Sequence, residues 1–423
     1  MERNPRPKDP VAWVASIAAA ATLLAFWRLG IPSQPYFDEV HYLPAARDIL
    51  GAGEWPNREH PLLGKQIIAM GIALFGDNPV GWRLFSALAG GLSVFAFGRA
   101  CWYAQATRFA GIAGSVLLAT GFFTFIHARI AMLDIFMVAF LLVALWQCAG
   151  AVREPEAARR RLAVAGIMLG LAMASKWNAI PLAVVPGAAF FFYRLGAGRR
   201  RLLLSRRGAP VPGITLLEAA LWLGVVPLAT YALTFLPAMF FAAAPLQPGG
   251  LIALHAGMLA LQESVTQPHP YQSRWPDWVL NLRAIWYLYE PIDGAQRGAL
   301  LIGNPLTMLL GLPALAWCAW RGMAKGDNAA WGAFVLYGVA LGFWIIAAKP
   351  VQFYYHYFLP SCFLLAALTF ALDAMWQRGR WLVPALVLGG SVAVFAWFYP
   401  ILSAAPLPDA EGFQRYMWLG GWV

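Results

Sequence analysis

The sequence predicts an all-α, polytopic membrane protein with about 11 transmembrane helices. Of its 423 residues 60% are hydrophobic and 12% charged, against about one quarter charged in soluble domains. Mean hydropathy is +0.60. Apolar runs near the roughly 20 residues that cross a bilayer recur along the whole length, leaving no stretch for a large soluble domain. Spans are expected at 11–28, 82–99, 109–127, 131–150, 162–177, 179–195, 214–236, 299–319, 330–348, 357–375 and 381–400.

The first span follows Arg3, Arg6 and Lys8 and lacks a small-residue cleavage site, so it reads as an anchor with a cytoplasmic amino terminus. Threading the spans alternately then places Arg99, Arg108, Arg153, Arg159 to Arg161, Arg194, Arg199 to Arg201, Arg206, Arg207, Arg321, Lys325, Arg378 and Arg380 on the same inner side. Most acids and all six histidines fall at or near the outer side. The net charge of +11 therefore reflects topology and anionic lipid, and excludes nucleic acid as the partner. Cys101, Cys148, Cys318 and Cys362 sit in or at the ends of spans, with no disulfide framework or zinc spacing, and no metal is expected.

Two outer segments do more than connect. The first, 29–81, predicts a helix from Asp38 to Leu50, with Pro44 inside and Gly51 and Gly53 ending it, and a second helical stretch from Pro61 to Phe75. The second, 237–298, carries an apolar helical stretch, Leu251–Leu261, followed by a segment rich in Pro, Trp and Tyr that suits a lid on the membrane surface. The chain divides on this reading into a catalytic module at 1–236, a lid at 237–298 and a four-helix module at 299–423.

Asp38 and Glu39 stand out because carboxylates beside a membrane-embedded segment are costly to desolvate. On a helix, consecutive side chains diverge by about 100°, so the two do not share one task. One can act as a general base; the alternative is an acid pair complementing a helix dipole. At the same depth lie His60 and Lys65, Arg83, Arg129 and Asp134 around a turn, Lys176 at the end of the fifth span and Lys349 at the end of the ninth. Fixed cations beside an apolar wall suit a lipid-linked phosphate; for each cation alone, snorkelling to the headgroups is the competing account. Arg129 is the strongest functional cation by position, with Asp134 as its nearest acid. Tyr355 and His356 follow Lys349, and Asn304 opens the eighth span; aromatic belts explain most such tyrosines, and a structural role for His356 outweighs a catalytic one.

Taken together, Phe37-Asp38-Glu39, His60-Pro61-Leu62-Leu63-Gly64-Lys65, Arg129-Ile130-Ala131-Met132-Leu133-Asp134, Ser175-Lys176-Trp177-Asn178, Ile302-Gly303-Asn304-Pro305 and Phe353-Tyr354-Tyr355-His356-Tyr357 resemble the protein O-mannosyltransferase family, in its order and across nearly the whole chain. The resemblance implies a GT-C membrane glycosyltransferase fold, a polyprenyl-phosphate mannose donor, and Ser or Thr hydroxyls of translocated proteins as acceptors. It implies Asp38 as the base and Glu39 as the second acid of the catalytic pair. It further implies Arg129, Lys176, Lys349, His60 and Lys65 as contacts of the donor phosphate or sugar, supported by Asp134, Tyr355, His356 and Asn304. Leu62 stands where the family commonly has a second proline. Only about 60 residues are available where eukaryotic members insert a soluble β-trefoil domain, so the chain resembles a compact bacterial member in the cytoplasmic membrane, with its active site outside.

The reaction so implied is one inverting displacement at the anomeric carbon. It needs no cofactor beyond the lipid-linked donor; the bilayer and an acceptor protein are its partners, and the translocon is a candidate third. Two alternatives remain: a relative moving another lipid-linked sugar to lipid A or another glycan, and a lipid transporter. The transporter would need polar residues near mid-bilayer, whereas the ionisable groups cluster at one face.

Overall fold

The computed structural model describes residues 8–51, 57–197, 202–264, 266–347 and 349–422. Arg3, Arg6, Gly53 and Arg199 to Arg201, which enter the expectations above, lie outside the described residues. A first helix α1 (Val11–Phe26) leads into an outer segment with α2 (Glu39–Leu50) and α3 (Leu63–Phe75). Then follow α4 (Pro79–Gln105), α5 (Arg108–Ala119), the short α6 (Phe122–His127), α7 (Leu133–Arg153), α8 (Ala158–Ser175) and α9 (Ile180–Ala197). Next comes one rod made of α10 (Leu216–Ala220), a π turn (Leu221–Val225) and α11 (Val226–Leu233), with Pro227 just past the turn. The second outer segment holds α12 (Leu251–Ser264), α13 (Trp275–Val279) and a hairpin of β1 (Ile285–Ile292) and β2 (Ala295–Leu301). The chain closes with α14 (Pro305–Lys325), α15 (Asn328–Ile346), α16 (Phe358–Trp376) and α17 (Leu382–Leu402).

Each expected span has its helical counterpart, with ends shifted by a few residues. Among the described residues, seven helices are long and apolar enough to cross a bilayer, and the chain is a multi-pass membrane protein. The helix starts follow local chemistry. Asn78 accepts from the N–H groups of Val80 and Gly81 ahead of Pro79, Thr107 accepts from Ala110, and Asp327 accepts from Ala330. The eighth span begins later than expected: residues up to Leu301 finish a strand, and α14 starts at Pro305.

The hairpin is the element not foreseen. Its turn is Asp293-Gly294, both at positive φ, the backbone that a two-residue turn matched to strand twist requires. A bulge lies between Trp286 and Leu288, which pair with Leu300 and Ala299. Tyr287 is left out of the ladder, and its ring stacks on Phe37 at 3.8 Å. At the tip, Asp293 accepts from the N–H and the hydroxyl of Ser33. The hairpin thus fastens the second outer segment onto the first.

The two ends of the bundle are chemically sorted. Arg99 pairs with Asp9, Arg161 with Glu154, Thr107 donates to Asp373, and Tyr193 donates to Asn328. Every partner in this set belongs to a helix end or loop that alternate threading puts on the inner side. The other end holds α2, α3, α12 and the hairpin.

Inside the bundle α4 packs against α1, α5 and α7, and α16 against α5, α14 and α15. Close approach needs residues without side chains. A Cβ at Gly98 would fall 1.9 Å from Ser115 Oγ, whereas one at Gly338 on α15 would meet nothing within 4 Å. Gly98→Leu is expected to sharply reduce the yield of folded, detergent-extracted protein and Gly338→Leu to leave it unchanged, measured by size-exclusion chromatography.

Candidate active site

Asp38 and Glu39 begin α2, and adjacency sends their side chains apart. Glu39 is fully buried and gripped by Arg83, with Nε to Oε1 and Nη2 to Oε2 both at 2.7 Å. Its oxygens also accept from the backbone N–H of Ala131 at 2.9 Å and of Tyr36 at 3.3 Å. The remaining Arg83 donors go to the carbonyls of Leu29, Pro32 and Gln34. Desolvating two charges costs several kcal/mol per ion, and it is this dense bonding that offsets it. The Glu39 carboxylate is therefore committed to holding the fold.

Asp38 is free of such work. It precedes the first turn of α2 without capping it, and the Tyr42 hydroxyl is 3.5 Å from Oδ2. Half-buried, its carboxyl is raised above its ordinary range. Burial is the main cause, opposed by Lys176 and reinforced by Asp134; His41 and Lys349 also pull it down.

Lys176 ends α8 with Nζ 2.7 Å from Asp134 Oδ2, both side chains almost fully buried. The ammonium also lies 5.0 Å from the centre of the Tyr355 ring. Asp134 Oδ1 has no hydrogen-bond partner among the described residues. Asp134 thus pairs with Lys176, not with Arg129 as sequence proximity suggested. The reason is geometric: the turn at 129–132 sends Arg129 back toward the end of α1. There its guanidinium donates to the carbonyls of Ala25, Trp27, Arg28 and Ser403, and these bonds hold the fold.

A cavity of about 250 Å³ opens beside Lys176. The first outer segment contributes His60, the turn between α8 and α9 contributes Trp177 and Asn178, and α12 contributes Leu259, Gln262 and Glu263. Phe343, Trp344 and Ala347 come from α15, with Lys349 and His356 just beyond it. His356 stacks on Trp344 at 3.7 Å and accepts from the Phe353 N–H through Nδ1, which puts the proton of the neutral ring on Nε2. Burial and the neighbouring Lys176 push the Lys349 ammonium down to about 8. Lys65 does not line this cavity; fully buried, it donates to the carbonyls of Asn57 and His60 at 2.6 and 2.9 Å and so shapes the loop that carries His60. Asn304 sits apart, its amide donating to the carbonyls of Thr120 and Ser391 at a junction of α5, α14 and α17.

Of the residues singled out in the sequence, His60, Lys176, Lys349 and His356 line the cavity, Asp134 and Tyr355 stand against Lys176 and Asp38 lies within electrostatic reach of Lys176 and Lys349, while Glu39, Arg129, Lys65 and Asn304 hold elements together around them. Two larger cavities, of about 610 and 510 Å³, contain none of these residues. Among the described residues no three His, Cys, Asp or Glu side chains cluster as a metal site.

Two family models cover most of the chain. That of the dolichyl-phosphate-mannose-protein mannosyltransferases matches residues 59–240, and that of the C-terminal four-transmembrane region of protein O-mannosyltransferase matches residues 249–422. The chain belongs to the protein O-mannosyltransferase family. A polyprenol-phosphate-mannose–protein mannosyltransferase of Mycolicibacterium smegmatis is 27% identical, over 97% of this chain and 92% of the relative. The S. cerevisiae protein O-mannosyltransferase Pmt1-Pmt2 complex bound to the sugar donor superposes with a TM-score of 0.80 at 15% identity, over 100% of this chain and 93% of that one. ArnT from Cupriavidus metallidurans reaches 0.58 at 16% identity, over 96% of this chain and 68% of that one. These likenesses establish the GT-C fold of the family for this chain.

Sequence reading missed Gln262 and Glu263 of α12 and Trp344 of α15, which line the cavity together. It missed Tyr287 through the hairpin, for which Asp293-Gly294 between aromatic and apolar runs was an available signal. Arg83→Ala, which strands Glu39 in the interior, is expected to destabilise the protein by about 3–5 kcal/mol, measured by unfolding in detergent, with Arg83→Lys intermediate.

Proposed function

We propose that this chain transfers mannose from polyprenyl-phosphate mannose to Ser or Thr hydroxyls of proteins on the outer side of the membrane. The observation that carries the reading is one site holding a half-buried carboxylate that caps nothing, Asp38, together with two lysines at the rim of a cavity. Asp38 takes the proton of the acceptor hydroxyl, whose oxygen bonds to the anomeric carbon. The bond from that carbon to phosphate breaks, and polyprenyl phosphate leaves with its charge against Lys176 and Lys349. One displacement inverts the anomeric centre.

Asp134 holds Lys176 in place, and Trp344 with His356 offers the sugar a flat wall. The catalytic module at 1–236 thus supplies the base and Lys176, the four-helix module supplies Lys349 and His356, and the lid supplies α12. The arginine-rich opposite end supports placing the cavity at the outer leaflet of a bacterial cytoplasmic membrane, where acceptors emerging from the translocon would meet it. No metal or cofactor has a part in this scheme.

The rival transfer to lipid A shares the fold but leaves the paired family models unexplained. Membranes given radiolabelled polyprenyl-phosphate mannose are expected to place label in protease-sensitive material; label in lipid would favour the rival. With a Thr-rich peptide as acceptor, Asp38→Asn is expected to insert normally, bind donor and lose about 10²–10⁴-fold in transfer; full activity would remove Asp38 as base.

The charges fix the pH dependence. Asp38 must be ionised, and its raised pKa puts the acid limb above the usual carboxylate range. Lys349 is a cation only below about 8, so donor KM is expected to rise as pH climbs through that value. In Lys349→Arg, always charged, that rise should disappear from KM measured across pH.

A further inference from the structure

Trp177, next to Lys176 in the cavity wall, donates through Nε1 to the Tyr231 hydroxyl at 2.9 Å, and that hydroxyl lies 2.6 Å from His255 Nε2. His255 Nδ1 is 2.6 Å from the carbonyl of Leu251. A carbonyl only accepts, so Nδ1 carries the proton, Nε2 accepts from Tyr231 O–H, and Tyr231 oxygen accepts from Trp177. With a neutral imidazole each bond has one direction. The Trp177 and His255 rings also stack, 5.7 Å apart and 20° from parallel.

This chain joins three elements: the turn at the head of α9, the outer end of α11, and α12. Farther along α12, Gln262 donates to the Glu59 carbonyl at 2.7 Å and approaches His60 Nδ1 at 3.4 Å. The helix is therefore fastened at two points about two turns apart, at His255 and Gln262, and Leu259, Gln262 and Glu263 line the cavity. Apart from Glu263, α12 has no charged side chain; Leu251 and Leu254 pack on the cluster of Leu62, Phe235, Ala238 and Phe241, and Met258 is buried, while Ile252, Leu259 and Leu261 are exposed, so a small apolar face and these hydrogen bonds together set where it lies.

We propose that His255 and Tyr231 are positioning residues for the lipid-linked donor, setting α12 and Trp177 as two walls of its cavity. This rests on the donor reading of that cavity. Neither residue touches the cavity; they act through Trp177 and α12. Losing one bond leaves the other partner unsatisfied and lets both walls drift, which weakens donor binding and leaves Asp38 and the acceptor untouched.

The test is steady-state transfer by the full chain carrying His255→Phe, Tyr231→Phe, both together, and His255→Gln. Phe keeps the ring stack and loses the hydrogen bond; Gln places an acceptor oxygen near the Nε2 position. Each Phe variant is expected to raise donor KM about tenfold, with kcat and acceptor KM within about twofold. The double variant should be no worse than either single one, and His255→Gln should recover most of the donor KM. Wild-type donor KM in both single variants overturns the proposal. So does a fall in kcat with unchanged donor KM, or His255→Gln matching His255→Phe. Polyprenyl phosphate binding by the same variants, read by fluorescence quenching, gives an independent measure: if the wild type transfers no mannose, the functional reading fails, while a weakened lipid phosphate affinity in the variants still supports the positioning role.

Discussion

The site depends on the buried ion pair between Glu39 and Arg83. Between them they tie the start of α2, the backbone at 29–34, helix α4 and the turn before α7. With Glu39 held on two sides, the geometry of a helix start leaves Asp38 only the other direction. Adjacent acids of similar intrinsic strength thus acquire different properties from their neighbours alone. One is paired and enclosed by donors; the other keeps a carboxylate without a committed partner.

The cations divide in the same way. Arg83, Arg129 and Lys65 are largely spent on carboxylate or carbonyl oxygens of their own chain. An arginine fork can satisfy several carbonyls at a helix end at once, which suits it to joining segments. Lys176 and Lys349 lie at the cavity, one steadied by Asp134 and the other without an ion pair among the described residues. A phosphate entering the cavity meets Lys349 with no ion pair to displace among the described residues, and Lys176 with Asp134 already beside it.

Much of this was legible in the sequence. Long apolar runs mark membrane helices because the bilayer leaves the backbone few other solutions, and the short motifs found the end of the bundle that carries the cavity, with Asp38 beside it. What stayed hidden depends on how segments meet. The partner of Asp134 is Lys176, 42 positions away, because α7 and α8 run side by side, while nearby Arg129 turns to α1. Tyr287 reached Phe37 through a strand bulge, and α12 contributed three cavity residues, Leu259 within the stretch read only as apolar helix and Gln262 and Glu263 just past its expected end. His255 and Tyr231 matched no motif, since their roles arise from one hydrogen-bond chain spanning three elements.

The central claim is that a lipid-linked phosphosugar binds with its phosphate at Lys176 and Lys349 and its anomeric carbon open to Asp38. The most direct measurement is an experimental structure with a non-hydrolysable polyprenyl phosphonate sugar bound. The account predicts phosphonate oxygens within hydrogen-bond distance of Lys176 Nζ, the sugar against Trp344, and Asp38 facing the side of the anomeric carbon opposite the phosphonate. A phosphonate at Arg129, or in the cavity of about 610 Å³ lined by Tyr103, Arg153 and Asn328, would contradict it.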